Sequence, residues 1–250
     1  MKVLGVIPAR FASTRFPGKL LKEIKGKTVI RRTFESASRS SLIDRLVVAT
    51  DDRRILKEVE SFGCEAFLTP GELNSGTERI AYLLKEYGFK DFDFIVNIQG
   101  DEPFISGELI DDCIRALSED PSAAISTAGR IGIKHTELKN PNVVKVLVDK
   151  CGYAIYFTRQ DIPFIRDKDF CFDVHPALVH LGLYVYRREF LENYDNMEDS
   201  ILEKMEKLEQ LRALENCYRI KVVKTDKDSL GIDTVEDLLL AEKMLESYEF

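Results

Sequence analysis

Three cations stand close together in a loop that follows the first apolar run of the chain. Residues 3–8 read as a buried strand, and the loop after it, residues 9–19, carries Arg10, Arg15 and Lys19 among small residues. Cationic side chains and backbone N–H groups in such a loop can neutralise the charges of a triphosphate. The loop has neither P-loop spacing nor a dinucleotide glycine pattern. Taken alone, it fits either a phosphate site or a chance basic loop.

Two aspartates are placed where they could hold a metal ion. Asp101 directly follows the apolar run 94–99 and Gly100, which permits close approach of the backbone to a ligand. Ligands of open α/β sheets collect at the carboxyl ends of strands, so Asp101 is a candidate Mg²⁺ ligand, or else an ordinary surface-turn residue. Asp233 is the second candidate ligand. It could equally be the N-cap of the last helix, or the neighbour of that cap.

The elements that must position these residues alternate along the first half of the chain. Short, apolar, β-branched runs predict buried strands at residues 3–8, 45–50, 65–68, 94–99 and 123–128. Helical patterns between them predict helices at residues 29–40, 53–62, 77–87 and 108–119. The expected N-caps are Thr28, Ser75 or Gly76, and Ser106. This alternation is typical of an α/β fold with a doubly wound, mostly parallel, Rossmann-like sheet.

The rhythm changes after about residue 140, where the pattern becomes richer in β-structure. A hairpin is predicted from residues 143–148 and 153–157, and further strands from residues 178–186 and 220–224. Helical spacing predicts one amphipathic helix over residues 201–216 and a closing helix over residues 234–247. We therefore expect a single domain over residues 1–250, with a nucleotide-binding part at about 1–130 and 218–250. A β-rich insert subdomain is expected at about 131–217.

Composition and charge exclude several classes of protein. The chain has 250 residues, 44% apolar and 32% charged, which is typical of a globular α/β protein rather than of disorder or coiled coil. Its net charge of −7 argues against general binding to nucleic acid or anionic membrane. No signal peptide or bilayer-spanning run is expected. Five cysteines without C-x-x-C spacing favour reduced thiols, so the expected compartment is the cytoplasm.

Taken together in chain order, eight segments resemble the 3-deoxy-manno-octulosonate cytidylyltransferase family, also called CMP-Kdo synthetases. The resemblance covers nearly the whole chain. The segments are IPARFASTRFPGK (7–19), ATDD (49–52), SGTER (75–79), NIQGDEP (97–103), NPNVVK (140–145), HLGLY (180–184), LEQLR (208–212) and GIDT (231–234).

The resemblance implies a nucleotidyltransferase that moves the cytidylyl group of CTP to the anomeric hydroxyl of an eight-carbon acidic sugar. Mg²⁺ is the implied cofactor, with Asp101 and Asp233 as its ligands, and Lys19 joins them as a catalytic residue. The implied nucleotide-binding residues are Pro8, Ala9, Arg10, Ser13, Arg15, Lys19, Ala49, Asp51, Ser75, Gly76, Arg79, Gln99 and Gly100. Residues 50–52 could instead simply open a helix.

The resemblance also implies a site for the acidic sugar and a homodimer formed through the β-rich insert. The implied sugar-binding residues are Arg159, His180, Tyr184, Glu209 and Gln210. Without the resemblance, Arg159 would be a surface arginine, His180 a histidine in a core strand, and Glu209 and Gln210 the solvated face of an amphipathic helix.

Two rival functions stay open at this point. A related cytidylyltransferase could activate another acidic sugar, such as an 8-amino analogue or neuraminate. The neuraminate enzymes usually have a Gly-Gly-Ser pattern where this chain has Phe11-Ala12-Ser13. A catalytically silent nucleotide-binding regulator is the second rival, and retention of both aspartates and all three loop cations argues against it.

Overall fold

The computed structural model describes residues 1–13, 15–73, 75–167 and 175–248, which form two compact units. The first unit comprises residues 1–111 and 229–250, and the second comprises residues 112–228. Cys171, one of the five cysteines, lies outside the described residues. In the part of the chain that the structure describes, no helix is long and apolar enough to cross a bilayer.

The first unit is built on four parallel strands in the order β6-β1-β4-β5. These strands are β1 (Val3–Ala9), β4 (Arg45–Thr50), β5 (Glu65–Leu68) and β6 (Phe94–Asn97). All seven residues of β1 are buried, as expected for a central parallel strand that is covered on both faces. The two-residue strands β2 (Glu23–Ile24) and β3 (Lys27–Thr28) form a separate small ribbon.

The helices of the first unit begin at polar residues that satisfy their first N–H groups. Thr28, Asp52 and Ser75 are N-caps that accept from the backbone N–H of Arg31, Arg54 and Glu78. The helices are α1 (Val29–Ala37), α2 (Arg53–Ser61), α3 (Gly76–Tyr87) and α9 (Val235–Tyr248), and α4 (Gly107–Ser118) continues across the boundary at residue 111.

The second unit is richer in β-structure and its strands run in both directions. Its strands are β7 (Ile125–Arg130), β8 (Lys145–Val148), β9 (Ala154–Thr158), β10 (Leu178–Arg187) and β11 (Ile220–Thr225). Strand β7 pairs in parallel with β11 and antiparallel with β10, while β8 pairs antiparallel with both β10 and β9. Its short helices are α5 (His135–Leu138), α6 (Arg188–Glu192), α7 (Ile201–Glu206) and α8 (Gln210–Glu215). The predicted α/β class and the β8–β9 hairpin are confirmed.

One predicted helix is wrong. The apolar spacing over residues 201–216 predicts a single helix, but the chain breaks between α7 and α8 at Lys207, which adopts a left-handed conformation with φ 55°. The break lets the Glu206 carboxylate accept from Thr158 Oγ1 and from the backbone N–H of Arg159 at 3.0 Å. Local periodicity cannot register this tertiary contact.

The compact units divide the chain at residues 111 and 228. The sequence analysis divides it by expected function, near residues 130 and 218, and that functional division stays a prediction. Strands β7 and β11 both belong to the second unit because they pair with each other along six residues. Apolar runs alone do not reveal which strands become neighbours.

Candidate active site

A cleft of about 620 Å³ opens in the first unit at the carboxyl ends of β1 and β6. This is the edge of a parallel sheet at which ligands are expected to bind. Its lining residues are Pro8, Arg10, Ala12, Ser13, Arg15, Lys19, Leu20, Gly76, Gln99, Gly100, Asp101 and Asp233. The basic loop and both predicted metal ligands therefore come together in one place.

The basic loop is closed by a hydrogen bond between its ends. The Gly18 N–H donates to the Phe11 carbonyl at 3.1 Å, and Gly18 has φ +68°, a conformation that favours glycine. A Cβ at Gly18 would also lie only 3.1 Å from the Phe11 ring. The chain then enters a short 3₁₀ turn, Lys19–Leu21, which directs the Lys19 side chain into the cleft.

Lys19 is the centre of the charged cluster. Its Nζ donates to Asp101 and, at 2.8 Å, to Asp233, and Arg15 Nη2 lies 2.8 Å from the other Asp233 oxygen. The Lys19 side chain is only 11% exposed. Burial lowers its pKa, but the two carboxylates outweigh burial, so the pKa of Lys19 is raised and the ammonium is charged.

The structure decides between the two local roles considered for Asp233. The last helix is capped by its neighbour, since Thr234 Oγ1 accepts from the Asp237 N–H at 3.2 Å. Asp237 Oδ2 in turn accepts from the backbone N–H groups of Asp233 and Thr234. The Asp233 carboxylate thus takes no part in the cap. The Ile232 N–H donates to the Asp101 carbonyl at 2.8 Å, which joins the two aspartate segments.

The donor set at this cluster suits Mg²⁺. Asp101 and Asp233 come from different segments, yet their carboxylates meet at a single ammonium group. Among the described residues, no group of three or more His, Cys, Asp or Glu side chains is placed to hold a metal. Mg²⁺ commonly takes one or two carboxylates and completes its coordination with water and substrate phosphate oxygens. Two carboxylates beside a basic loop fit that pattern.

The predicted nucleotide-binding residues divide into two groups. Eight of them line the cleft: Pro8, Arg10, Ser13, Arg15, Lys19, Gly76, Gln99 and Gly100. The other five are not among the described residues that line the cleft: Ala9, Ala49, Asp51, Ser75 and Arg79. Ala9 and Ala49 are fully buried, and Ser75 caps α3. Sequence reasoning missed Ala12, which belongs to the segment 7–19 that it singled out, and Leu20, which directly follows that segment.

Two predicted sugar-binding residues lie side by side in the second unit. The ring centroids of His180 and Tyr184 are 5.3 Å apart, and His180 also meets Phe157 edge-on at 5.0 Å. His180 Nε2 lies 3.2 Å from Thr127 Oγ1. Burial lowers the pKa of His180 to about 3, so the imidazole is neutral at physiological pH. It can therefore read a hydroxyl group but carries no charge.

Arg159 is held by main-chain oxygens. Its Nε donates to the Glu206 carbonyl at 2.8 Å and its Nη1 to the Pro141 carbonyl at 3.0 Å. No carboxylate among the described residues forms an ion pair with its guanidinium. Lys145 Nζ fixes the backbone at the same point, because it donates to the Arg159 carbonyl at 2.6 Å. Arg159 is thus a positioned cation whose guanidinium has no ion-pair partner among the described residues.

Glu209 and Gln210 begin helix α8. Gln210 is only 7% exposed, so it does not lie on a solvated helix face. Its Nε2 has no hydrogen-bond partner among the residues that the structure describes. Burial, assisted by the negative charge of Glu209, raises the pKa of Tyr184 well above its usual value, so the phenol keeps its proton. Sequence reasoning missed Thr127 and Glu206, and only tertiary contacts identify them.

The neutral state of His180 predicts an acid-dependent loss of stability. The unfolded chain binds a proton at His180 near pH 6.5 and the folded chain only near pH 3, so the stabilisation present above pH 6.5 declines as the pH falls. At pH 5 the loss is about 2 kcal/mol. We expect urea unfolding of His180→Gln to lack this part of the pH dependence. The control variant His135→Gln, at an exposed position, should keep this pH dependence. If the unfolding free energy of His180→Gln depends on pH as strongly as that of wild type, His180 is not the source of the effect.

Comparison with known proteins adds evidence from sequence. A family model described as Cytidylyltransferase matches residues 4–220. A protein named 3-deoxy-manno-octulosonate cytidylyltransferase from Syntrophotalea carbinolica is 46% identical, covering 98% of this chain and 99% of that protein. A protein of the same name from Pelobacter propionicus is 47% identical, covering 97% of both.

Comparison with solved structures agrees with the sequence matches. A structure described as CMP:2-keto-3-deoxy-manno-octonic acid synthetase complexed with CTP has a TM-score of 0.91 and 32% identity, covering 99% of this chain and 100% of that one. A 4-diphosphocytidyl-2C-methyl-D-erythritol synthase from Anaerococcus prevotii has a TM-score of 0.63 at 19% identity, covering 98% and 96% of the two chains. The second similarity concerns the fold alone, and both agree with the predicted α/β class.

Proposed function

The chain belongs to the 3-deoxy-manno-octulosonate cytidylyltransferase family, and we propose that it transfers the cytidylyl group of CTP to 3-deoxy-manno-octulosonate (Kdo). The anomeric hydroxyl of Kdo attacks the α-phosphate of CTP, and pyrophosphate leaves. The products are CMP-Kdo and pyrophosphate. The observation that carries the proposal is the meeting of Lys19, Asp101 and Asp233 in a cleft that the basic loop borders.

The basic loop would bind and orient the triphosphate. Arg10, Arg15 and Lys19 all line the cleft, and their positive charges would attract the phosphate oxygens of the nucleotide. Phosphoryl transfer is catalysed mainly by positioning and by electrostatic stabilisation, which such a loop can supply. The cytosine would be read at the strand ends, where Gln99 and Gly100 also line the cleft.

The charge balance of the cluster supports a role for Mg²⁺. The charges of Arg15 and Lys19 are matched by those of Asp233 and Asp101, so the four side chains together are neutral. A triphosphate carries up to four negative charges, and a neutral cluster could not balance them without a further cation. We propose that Asp101 and Asp233 hold Mg²⁺. When bound, it would polarise the α-phosphoryl group and lower the pKa of the attacking hydroxyl.

The second unit would bind the acidic sugar. Arg159 would meet the Kdo carboxylate, because it is positioned by carbonyl groups and lacks an ion-pair partner among the described residues. Neutral His180, Tyr184, Glu209 and Gln210 offer donors and acceptors that suit sugar hydroxyls. Gln210 adds a donor that no described residue uses.

Pyrophosphate release, measured with CTP, Mg²⁺ and a panel of acceptors, tests the proposal. We expect release with Kdo and little with neutral hexoses, because a neutral sugar offers no carboxylate to the Arg159 guanidinium. Neuraminate also has a carboxylate, so it tests whether the site distinguishes between acidic sugars. The 8-amino analogue distinguishes between two closely related acceptors. If the analogue or neuraminate is turned over faster than Kdo, that sugar and not Kdo is the preferred acceptor. The absence of pyrophosphate with every acceptor would favour a silent nucleotide-binding protein.

We also propose a homodimer formed through the second unit. Ile155 on β9 and Ile201 and Met205 on α7 are 60%, 68% and 75% exposed, and burial against a second copy would remove these apolar side chains from water. A monomer in sedimentation velocity at micromolar concentration would contradict the dimer.

The product would serve lipopolysaccharide synthesis, and the cysteine pattern supports the cytoplasm as the compartment.

A further inference from the structure

Phe11 is held at both of its main-chain groups. Its N–H donates to Asp51 Oδ1 at 3.1 Å, and its carbonyl accepts the Gly18 N–H at the same distance. The Arg54 guanidinium covers its ring, 3.3 Å from the centroid. Arg10 precedes Phe11 and Lys19 follows Gly18. These contacts therefore fix the backbone next to two cationic side chains that line the cleft.

A fully buried cation, Arg79, pairs with the second carboxylate oxygen of Asp51. Arg79 Nη2 lies 3.3 Å from Asp51 Oδ2, and the Arg79 side chain is 0% exposed. Its Nη1 donates to Thr69 Oγ1 and to the Pro70 carbonyl. Breaking a buried ion pair leaves an uncompensated charge, so this pair strongly favours a single orientation of the Asp51 carboxylate. Among the described residues that line the cleft, neither Asp51 nor Arg79 appears.

We propose that Arg79, Asp51 and Phe11, here called the loop clamp, are positioning residues that hold the basic loop in its binding conformation before the nucleotide arrives. The proposal rests on the proposed function only for the identity of that nucleotide. Ordering a loop in advance removes a cost that binding would otherwise carry. Arg79 and Asp51 then act on CTP through the backbone of Phe11 and make no contact with it.

The loop clamp and a direct contact require different properties of Asp51. A contact with nucleotide or metal depends on the negative charge. The clamp depends on an oxygen that accepts the Phe11 N–H, and an asparagine supplies that oxygen without the charge. Asp51→Asn and Asp51→Ala therefore separate the two roles.

Steady-state kinetics of the full chain give the first measurement. We expect Asp51→Ala to raise the KM for CTP about five- to tenfold, the scale of one lost hydrogen bond. The KM for Kdo should stay unchanged. Asp51→Asn keeps the accepting oxygen but loses the ion pair with Arg79, so its KM for CTP should fall between those of wild type and Asp51→Ala. If Asp51→Asn raises the KM for CTP as much as Asp51→Ala while residues 10–18 exchange as in wild type, the charge itself acts on the nucleotide and the loop clamp is refuted.

Hydrogen exchange in the absence of nucleotide gives a measurement that does not depend on activity. We expect the peptide that spans residues 10–18 to exchange faster in Asp51→Ala than in wild type, and Asp51→Asn to restore much of the protection. Unchanged exchange in Asp51→Ala would overturn the proposal. A faster-exchanging loop with an unchanged KM for CTP would also overturn it, because loop order would then not matter for binding.

A matched control is Asp44, which precedes strand β4, whereas Asp51 follows it. Asp44 Oδ2 accepts the Val3 N–H at 2.7 Å, so Asp44→Ala removes the same kind of hydrogen bond away from the loop. This variant should leave the KM for CTP and the exchange of residues 10–18 unchanged. An equal effect from Asp44→Ala would mean that any loosening of β1 suffices, which contradicts a local clamp.

A second variant covers the case in which Asp51→Ala fails to fold because Arg79 loses its carboxylate. The double variant Asp51→Ala with Arg79→Met leaves no buried charge unpaired. We expect it to fold and to show the same loosened loop and raised KM. If the wild-type protein does not turn over CTP, the proposed function is refuted. The comparison of hydrogen exchange would still decide whether the loop clamp exists.

Discussion

Replacing Asp101 with asparagine is expected to reduce the rate of cytidylyl transfer by at least about 10²-fold, the scale of one lost electrostatic contact in the transition state. Asparagine keeps the size of the side chain and can still accept a hydrogen bond from Lys19. It removes only the negative charge that a Mg²⁺ ligand needs. The measurement is kcat at saturating CTP, Kdo and Mg²⁺, and near-normal turnover would remove Asp101 from the metal site.

The matched control for Asp101→Asn is Asp91→Asn. Asp91 is exposed and lies in the first unit, so the same chemical change there should leave kcat unchanged. A similar loss of rate in both variants would indicate a general effect of charge. Circular dichroism melting of each variant shows whether the fold is retained.

Asp233→Asn should behave like Asp101→Asn, because the cap of the last helix does not involve the Asp233 carboxylate. Its rate should fall steeply while its melting temperature changes little. The opposite is expected for Asp237→Ala, which removes the capping partner and should cost about 1 kcal/mol of stability with little effect on rate. A stable, fully active Asp233→Asn protein would show that Asp233 is not required for catalysis.

Much of the first unit was predictable because its signals are local. Strand β1 reads as a buried strand since all its residues are apolar or small, and the helices after it begin at capping residues. The order of strand and loop then places the basic loop and Asp101 at one edge of the sheet. Local signals could not decide the role of Asp233, because the sequences of a cap and of its neighbour look alike.

The parts that escaped prediction depend on contacts between distant segments. The break at Lys207 follows from the contact of Glu206 with Thr158 and Arg159, which no periodicity reveals. Arg79 shows the same difficulty, since a cation in the segment SGTER, which resembles the family, suggests a ligand contact. Its complete burial beside Asp51 becomes visible only in three dimensions. Burial, more than residue type, separates residues that touch a ligand from residues that position others.

Arg159→Ala is expected to weaken use of the sugar by roughly 10–150-fold in kcat/KM, with little change in the KM for CTP. A charge-assisted hydrogen bond to a carboxylate is worth about 1.5–3 kcal/mol, and each 1.4 kcal/mol is a factor of ten. The structure strengthens the reason for this expectation. Three carbonyl oxygens hold the Arg159 side chain, and no described carboxylate neutralises it.

Loss of those carbonyl contacts could also disturb the second unit, so the experiment needs two further variants. Arg159→Lys keeps the charge but loses the planar fork, and should fall between wild type and Arg159→Ala. Arg115→Ala removes an exposed arginine of the same unit and should leave sugar kinetics unchanged. Normal Kdo kinetics in Arg159→Ala, or efficient transfer to a neutral hexose by the wild type, would overturn the sugar assignment. Either result would leave the nucleotide site intact, because all the described residues that line that cleft belong to the first unit.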